Sequence, residues 1–250
     1  MERLTENQLL KDNWIKNFAI TSPIARNEKF FYISGIDDRM HVIKAKDMVE
    51  TFKVAADDGS LVTTINANDE YVVFGTVKGN IYSMLPDAPR KLWDFHAAGG
   101  IVGQLTKDND SIYFSGQDMN VYRIDIPDIY TKDFIWKCLV PGMVSIQPRV
   151  TETMVYQNAL GKYNTVSAID KDTGVIKWTV QNGYELLAES RGRAYVITDD
   201  EKLVVMNNVS GTMMYSVNFT GVTKQAYNTI DSKIYIGDNL GRVACLEPMN

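Results

Sequence analysis

The sequence predicts an all-β fold of six similar four-stranded units, and three observations carry that prediction. Apolar and aromatic tetrads recur along the chain: Tyr32-Ile33-Ser34-Gly35, Val72-Val73-Phe74-Gly75, Tyr113-Phe114-Ser115-Gly116, Val155-Tyr156-Gln157-Asn158, Tyr195-Val196-Ile197-Thr198 and Tyr235-Ile236-Gly237-Asp238. Their first residues lie 40, 41, 42, 40 and 40 positions apart. Second, Val166–Asp170 and Val175–Val180 flank Asp172-Thr173-Gly174, a strand–turn–strand arrangement in which glycine takes the positive-φ position. Third, Trp14, Trp93, Trp136 and Trp178 each precede the next tetrad by 17 to 20 residues. A period near forty residues, with several strands in each period, marks the blades of a β-propeller.

The units follow in order. Met1–Asn13 is polar and is expected to extend from the blades. Blade one takes inner strands from about Ile24 to Lys46 and an outer strand at Glu50–Val54. Blade two runs from Val62 to Phe95, and blade three from Ile101 to Lys137, with a longer linker at Ile126–Asp133 that contains Pro127 and is expected to displace the outer strand. Blade four spans Ser145–Val180. Blade five spans Leu187–Phe219, with Gly211 and Tyr215 standing where blade four has Gly174 and Trp178. Blade six begins near Thr223 and reaches Asn250 without an outer strand. The orphan strand Trp14–Phe18 supplies it in the expected arrangement, closing residues 1–250 into a single six-bladed ring and removing two exposed sheet edges. The alternative is a piece of an eight-bladed ring in which Trp14 belongs to an upstream blade.

Ala168-Ile169-Asp170-Lys171-Asp172-Thr173-Gly174-Val175-Ile176-Lys177-Trp178 resembles the A-x-D-x-x-T-G-x-x-x-W repeat of the PQQ-like β-propeller family, which includes the BamB-like assembly lipoproteins. Only blade four carries the full pattern. The resemblance implies the non-catalytic, BamB-like branch. The PQQ-dependent dehydrogenases of the wider family carry adjacent cysteines and an Asp base beside calcium. Here Cys138 and Cys245 are 107 residues apart and nothing matches that site, so PQQ is not expected and no cofactor is assigned.

Composition narrows the function classes. At 250 residues and 45% hydrophobic content the chain can bury roughly 70–75% of its unfolded surface. The net charge is −5 and the sequence pI about 5.1, with no run of Lys or Arg, which argues against nucleic acid as the partner. The two cysteines fall in strands of blades three and six and are expected to stay unpaired. No stretch approaches the roughly 20 apolar residues of a membrane span. Met1–Ile20 is charged throughout and shows no leader, which reads as cytoplasmic for the chain as given. A chain that begins after a removed signal peptide would look the same and would be periplasmic or outer-membrane-associated.

Catalytic patterns are sparse. His41 and His96 are the only histidines, and no His/Cys cluster has metal-ligand spacing, so no metal site is assigned. The acidic turns Asp37-Asp38 and Asp199-Asp200-Glu201 lack the calcium-loop string and read as solvated hairpin turns. No Ser or Cys sits in a pattern with a histidine and a carboxylate. Trp93-Asp94 lies in an outer strand, not at the place of a WD40 dipeptide. The recurring aromatics Trp14, Trp93, Trp136, Trp178 and Tyr215 are therefore expected to pack between blades.

The expected function is a non-enzymatic protein-interaction scaffold or assembly factor that presents its inter-blade loops to a protein partner. Those loops hold His96, Gly99, Gly100, Pro141, Met143, Asn182, Tyr184 and Val222, with Met143 and Tyr184 as anchors. One alternative is a small-ligand sensor or hydrolase at the channel mouth, in which Arg149, His96 and Tyr227 would converge. Another is a subunit or fragment of a larger structural assembly.

Overall fold

Twenty-three strands in six antiparallel sheets make up the described residues 19–248 of the computed structural model, with no helix among them. Two compact units divide the chain. One holds residues up to Ile101 together with Asp128–Thr131; the other holds Val102–Pro127 and the residues from Lys132 onward.

The first unit contains two sheets of four. β1 (Ala25–Arg26), β2 (Phe30–Ser34), β3 (Arg39–Lys44) and β4 (Glu50–Ala55) pair in chain order, as do β5 (Val62–Ala67), β6 (Val72–Thr76), β7 (Asn80–Met84) and β8 (Lys91–His96). Their facing sides share a core of Tyr32, Met40, Val42, Val72, Phe74, Tyr82 and Met84.

The second unit continues the pattern. Its sheets are β9 (Ile101–Asp108) to β12 (Thr131–Leu139), through β10 (Ser111–Gly116) and β11 (Asn120–Asp128); and β13 (Arg149–Val150), β14 (Met154–Ala159), β15 (Thr165–Asp170) and β16 (Ile176–Gln181). Then come β17 (Gly183–Ser190), β18 (Arg193–Thr198), β19 (Lys202–Asn207) and β20 (Met213–Asn218), and last β21 (Lys224–Ala226), β22 (Ile234–Gly237) and β23 (Val243–Leu246). The sixth sheet has three strands among the described residues. The expected closing strand Trp14–Phe18 and the extension Met1–Asn13 lie outside them.

Burial explains why the tetrads stand out in the sequence. The second and third strands of each complete sheet are covered on both faces, so β6 and β14 are buried at every position and read as continuous runs. The outer strands β4 and β16 alternate, because only one of their faces is covered. In four sheets the pairing of third with fourth strand shifts register at one station, between Val42 and Ile43, Ser83 and Met84, Ala168 and Ile169, and Val205 and Met206. A bulge there sharpens the local twist beside the turn.

One expectation needs correction. The segment Ile126–Asp133 is not a long linker that displaces the outer strand. β11 runs on to Asp128 and β12 starts at Thr131, with Asp128 accepting hydrogen bonds from the Tyr130 N–H and the Thr131 hydroxyl. The Ile126 N–H still donates to the Asp110 carbonyl at 2.7 Å, and Pro127 follows it one residue before β11 ends.

The turn of blade four shows how the repeat is built. Asp170 accepts from both the N–H and the hydroxyl of Thr173, while the Gly174 N–H bonds the Asp170 carbonyl at 2.9 Å. Gly174 has φ +71°, and a Cβ there would lie 2.7 Å from the Trp136 ring. A Gly174→Ala variant combines left-handed strain with overpacking, at about 2–4 kcal/mol together. Its Tm should fall by roughly 5–15 °C in thermal unfolding followed by circular dichroism; an unchanged Tm would show that Trp136 does not rest on this turn.

Candidate functional site

Side chains that depart from the repeat mark the candidate site. At the third and fourth tetrad positions blade four carries Gln157 and Asn158, both buried, where blades one to three end in glycine. Buried amides must find partners; Gln157 Nε2 bonds the adjacent Asn158 carbonyl at 2.8 Å, and the other partners lie outside the hairpin. Gln157 Oε1 accepts from the Ser115 hydroxyl at 2.7 Å, and its Nε2 donates to the Ile146 carbonyl at 3.1 Å. Asn158 Nδ2 donates to the carbonyls of Tyr184 at 2.8 Å and Gly183 at 3.3 Å. The pair ties down the loops on either side of blade four.

The loop before blade four is fixed a second time. Met143 and Leu160 exchange backbone hydrogen bonds of 2.9 and 2.7 Å, and a Cβ on Gly142 would meet the Leu160 carbonyl oxygen at 2.5 Å. On these held backbones Met143 is 65% exposed and Tyr184 49%, and Tyr163, in the β14–β15 turn, is 58% exposed. Pro141 is exposed beside them, and Asn182 adopts a positive φ of 57° at the bend into β17. This end of the second unit therefore offers apolar and aromatic side chains on an ordered backbone.

The remaining loop residues are placed separately. Val222 lines a groove of about 490 Å³ with Phe219, Ile236 and Val243. In the first unit the His96 ring is exposed, and its Nδ1–H donates to Asn80 Oδ1 at 2.8 Å. The Asn80 amide in turn donates to Asp58, which also accepts from Ser60 and Thr76. The Gly99 and Ala97 carbonyls close over Gly79 within 2.7 Å of where its Cβ would be, and Gly100 is buried.

The opposite, hairpin end of the second unit is polar. A cavity of about 720 Å³ is lined by Thr151, Glu152, Asp170, Lys177, Glu189 and Arg191, among others. Glu189 Oε2 accepts from the hydroxyls of Tyr156 at 2.5 Å and Thr151 at 2.7 Å. Asn208 donates to the Tyr156 oxygen at 2.7 Å and accepts from the Trp178 indole at 3.1 Å. Burial first, and then the Glu189 charge, push the Tyr156 hydroxyl far above a tyrosine's ordinary range, so it stays a neutral donor. Sequence reasoning missed this network because its bonded pairs are up to 52 residues apart.

Of the convergence considered for the channel mouth, Arg149 and Tyr227 do meet, the guanidinium 3.4 Å from the ring centre. Arg149 also makes two bonds to Glu185, at 3.2 and 3.1 Å, so its planar face and its donors are occupied in bracing. Among the described residues no group of three or more His, Cys, Asp or Glu side chains is placed to hold a metal ion, and no helix is long and apolar enough to cross a membrane. Cys138 and Cys245 are free thiols, the first buried and the second exposed.

A forty-residue repeat carried on six antiparallel sheets defines a β-propeller protein of the PQQ-like class. The family model described as outer membrane protein assembly factor BamB matches residues 79–231, more than half of the chain, and the chain belongs to that family. No curated protein matches it. The crystal structure of the computationally designed Ika8 protein aligns over 92% of this chain and 71% of its own, at 17% identity and a TM-score of 0.66. Sqt1 from Saccharomyces cerevisiae aligns over 93% and 73%, at 11% identity and a TM-score of 0.65. BamB from Moraxella catarrhalis aligns over 93% and 84%, at 15% identity and a TM-score of 0.48. At such identities the Ika8 and Sqt1 likenesses show the fold alone.

The Asp58 cluster carries a pH signature. Burial raises its pKa, but the hydrogen bonds led by Ser60 and Asn80 outweigh burial and hold the carboxyl below the usual range. A depressed folded-state value means that the stability Asp58 adds is present above the unfolded value near 3.9 and is lost as pH falls through the lower folded value. Urea midpoints measured across the acid range should therefore drop less steeply below about pH 4 for Asp58→Asn than for the native chain. Parallel curves would remove Asp58 from the acid response.

Proposed function

We propose that the protein is a non-enzymatic interaction scaffold that holds a protein partner on the inter-blade loops flanking blade four. The observation that carries this reading is the pair of exposed Met143 and Tyr184 side chains, the first on a backbone paired with Leu160 and the second on a backbone held by buried Asn158, with Tyr163 exposed in the β14–β15 turn. Ordered loops lose little entropy on binding, and aromatic and methionine side chains supply contact area. Membership of a family described as an assembly factor supports the same reading. Pro141 and Asn182 frame the contact; Val222 lies in a further inter-blade loop of the same unit, and His96, Gly99 and Gly100 lie in one of the first unit.

The test is a Met143→Asp/Tyr184→Asp double variant compared with the native chain in quantitative crosslinking and capture from the source cell. Two interface anchors at about 2 kcal/mol each should cost capture of a specific partner by a factor of roughly 10³. The Tm should stay within about 2 °C of the native value, because both side chains are exposed. Val209→Asp, at a position 91% exposed on a hairpin turn, serves as the neutral control. Equal capture by all three proteins would refute the reading.

A second reading has its own observation, the polar hairpin-end cavity, in which Glu189 uses only Oε2 for bonds to Tyr156 and Thr151. Its lining carboxylates outnumber Lys177 and Arg191, which suits a small cationic ligand. With spermidine as probe, the native Tm should rise with concentration and the Glu189→Gln Tm should not. No rise in the native protein would dismiss this use of the cavity.

A further inference from the structure

Building on the second reading of the hairpin-end cavity, we propose that its ligand is a short zwitterionic peptide, held by its ammonium group at Glu189 and by its carboxylate at Arg191. The cavity lies wholly within the second unit, where the β13–β14, β17–β18 and β21–β22 turns contribute to its wall.

Charge of both signs is left unspent around the cavity. Lys177 bonds Asp170 at 3.2 Å, so those two neutralise each other. Glu189 differs: Tyr156 and Thr151 hold its Oε2 at 2.5 and 2.7 Å, and its Oε1 has no partner among the described residues. The Glu152 carboxylate and the Arg191 guanidinium likewise form no ion pair or hydrogen bond among the described residues. Opposite charges that line one cavity without meeting leave room between them. A molecule that carries both signs neutralises each, whereas a plain polyamine sets a further cation against Arg191.

The β17–β18 turn gives no local reason for an arginine. Ser190 pairs with Arg193, so Arg191 and Gly192 form a two-residue loop, with φ of +52° and +73°. Positive φ at both positions defines a type I′ turn, which favours Asn-Gly. The β9–β10 turn has Asn109 at the corresponding bend, at φ +49°. An arginine there supplies nothing to the turn, but its planar fork matches a carboxylate in two parallel bonds. A Cβ on Gly192 would meet nothing within 4 Å, so the backbone beside Arg191 is open to a ligand.

Glu189 is set in advance for an ammonium group. Its two hydroxyl partners are themselves fixed, the Tyr156 oxygen accepting from Asn208 at 2.7 Å and the Thr151 oxygen from the Met154 N–H at 3.2 Å. A carboxylate already oriented loses little entropy on binding. The hydroxyls of Thr153, Thr229 and Ser232 also line the cavity and offer partners for peptide groups. Its volume of about 720 Å³ is that of a sphere about 11 Å across, and an extended tripeptide spans at most about 10–11 Å.

Calorimetric titration of the full-length chain with trialanine, N-acetyl-trialanine, trialanine amide and spermidine tests the assignment. The native protein should bind trialanine about tenfold more tightly than either blocked peptide, the ratio expected for one hydrogen bond to a charged group. Arg191→Asn, which suits the turn, should abolish the preference for a free carboxylate. Glu189→Gln should abolish the preference for a free ammonium group. If Glu189→Gln does not fold, the blocked peptides still decide the matter on the native chain. Trialanine amide binding as tightly as trialanine, with spermidine also bound, would overturn the zwitterionic ligand and leave the cation reading standing. Binding of neither trialanine nor spermidine would overturn both. Trialanine bound equally well by the native chain and both variants would place the peptide elsewhere and refute the proposal.

Discussion

The rest of the structure hangs on one contact, an outer-strand aromatic seated on the hairpin turn of the following sheet. Trp136 of β12 lies against Gly174 and donates its indole N–H to the Lys171 carbonyl at 2.9 Å. Trp178 of β16 repeats the move one sheet later, donating to Asn208. Each contact buries a large apolar face and satisfies the one polar atom that comes with it, which is the condition for a tryptophan to sit in a core. It also fixes how one sheet stacks on the next. A sheet of this kind has no core of its own and is stable only through its neighbours.

That arrangement divides the surface by chemistry. The faces are consumed by stacking, so only the two ends of the strands remain free to vary. In the second unit the ends have diverged. The inter-blade end displays Met143, Tyr163 and Tyr184 above buried amides, and the hairpin end gathers Glu152, Asp170 and Glu189 around an open cavity. The Tyr156 hydroxyl belongs to both the core and the cavity: its ring packs 5.8 Å from that of Trp178, and its oxygen reaches Glu189. Stacking order and cavity shape are thus set by the same residues.

What could be read from the sequence follows from this division. The tetrads were legible because both faces of their strands are covered, which forces unbroken apolar runs, and the period then counted the sheets. Asp170-Lys171-Asp172-Thr173-Gly174 was legible because a turn that must admit a tryptophan ring leaves no room for a Cβ. The polar cavity was not, since Thr151, Tyr156, Glu189 and Asn208 meet through stacking and share no local spacing. His41 was equally opaque. Its ring nitrogens lie 2.8 Å from Glu50 and 3.1 Å from Asp37, inside a strand whose sequence suggests only a buried polar residue. Pro127 misled because proline usually ends a strand, whereas here it falls in the last two residues of one, beside the turn into β12.

In a repeat fold, what every unit shares serves stacking, and what one unit alone carries is free to serve something else. The fourth tetrad position makes the distinction visible. Thr198 bonds the Lys202 carbonyl, and Asp238 bonds Arg242, both within their own hairpins. Asn158 instead reaches across to the start of β17, which presents Tyr184, and Gln157 reaches back toward Ile146 in the loop that follows Met143. Closing a hairpin requires neither bond. Two buried amides, costly to desolvate unless fully partnered, are placed where blades one to three carry Ser34-Gly35, Phe74-Gly75 and Ser115-Gly116. The loops they hold are the ones that expose the largest apolar side chains of that end. Stacking alone gives no reason to rigidify them; the proposed recognition of a partner by a preorganised surface would.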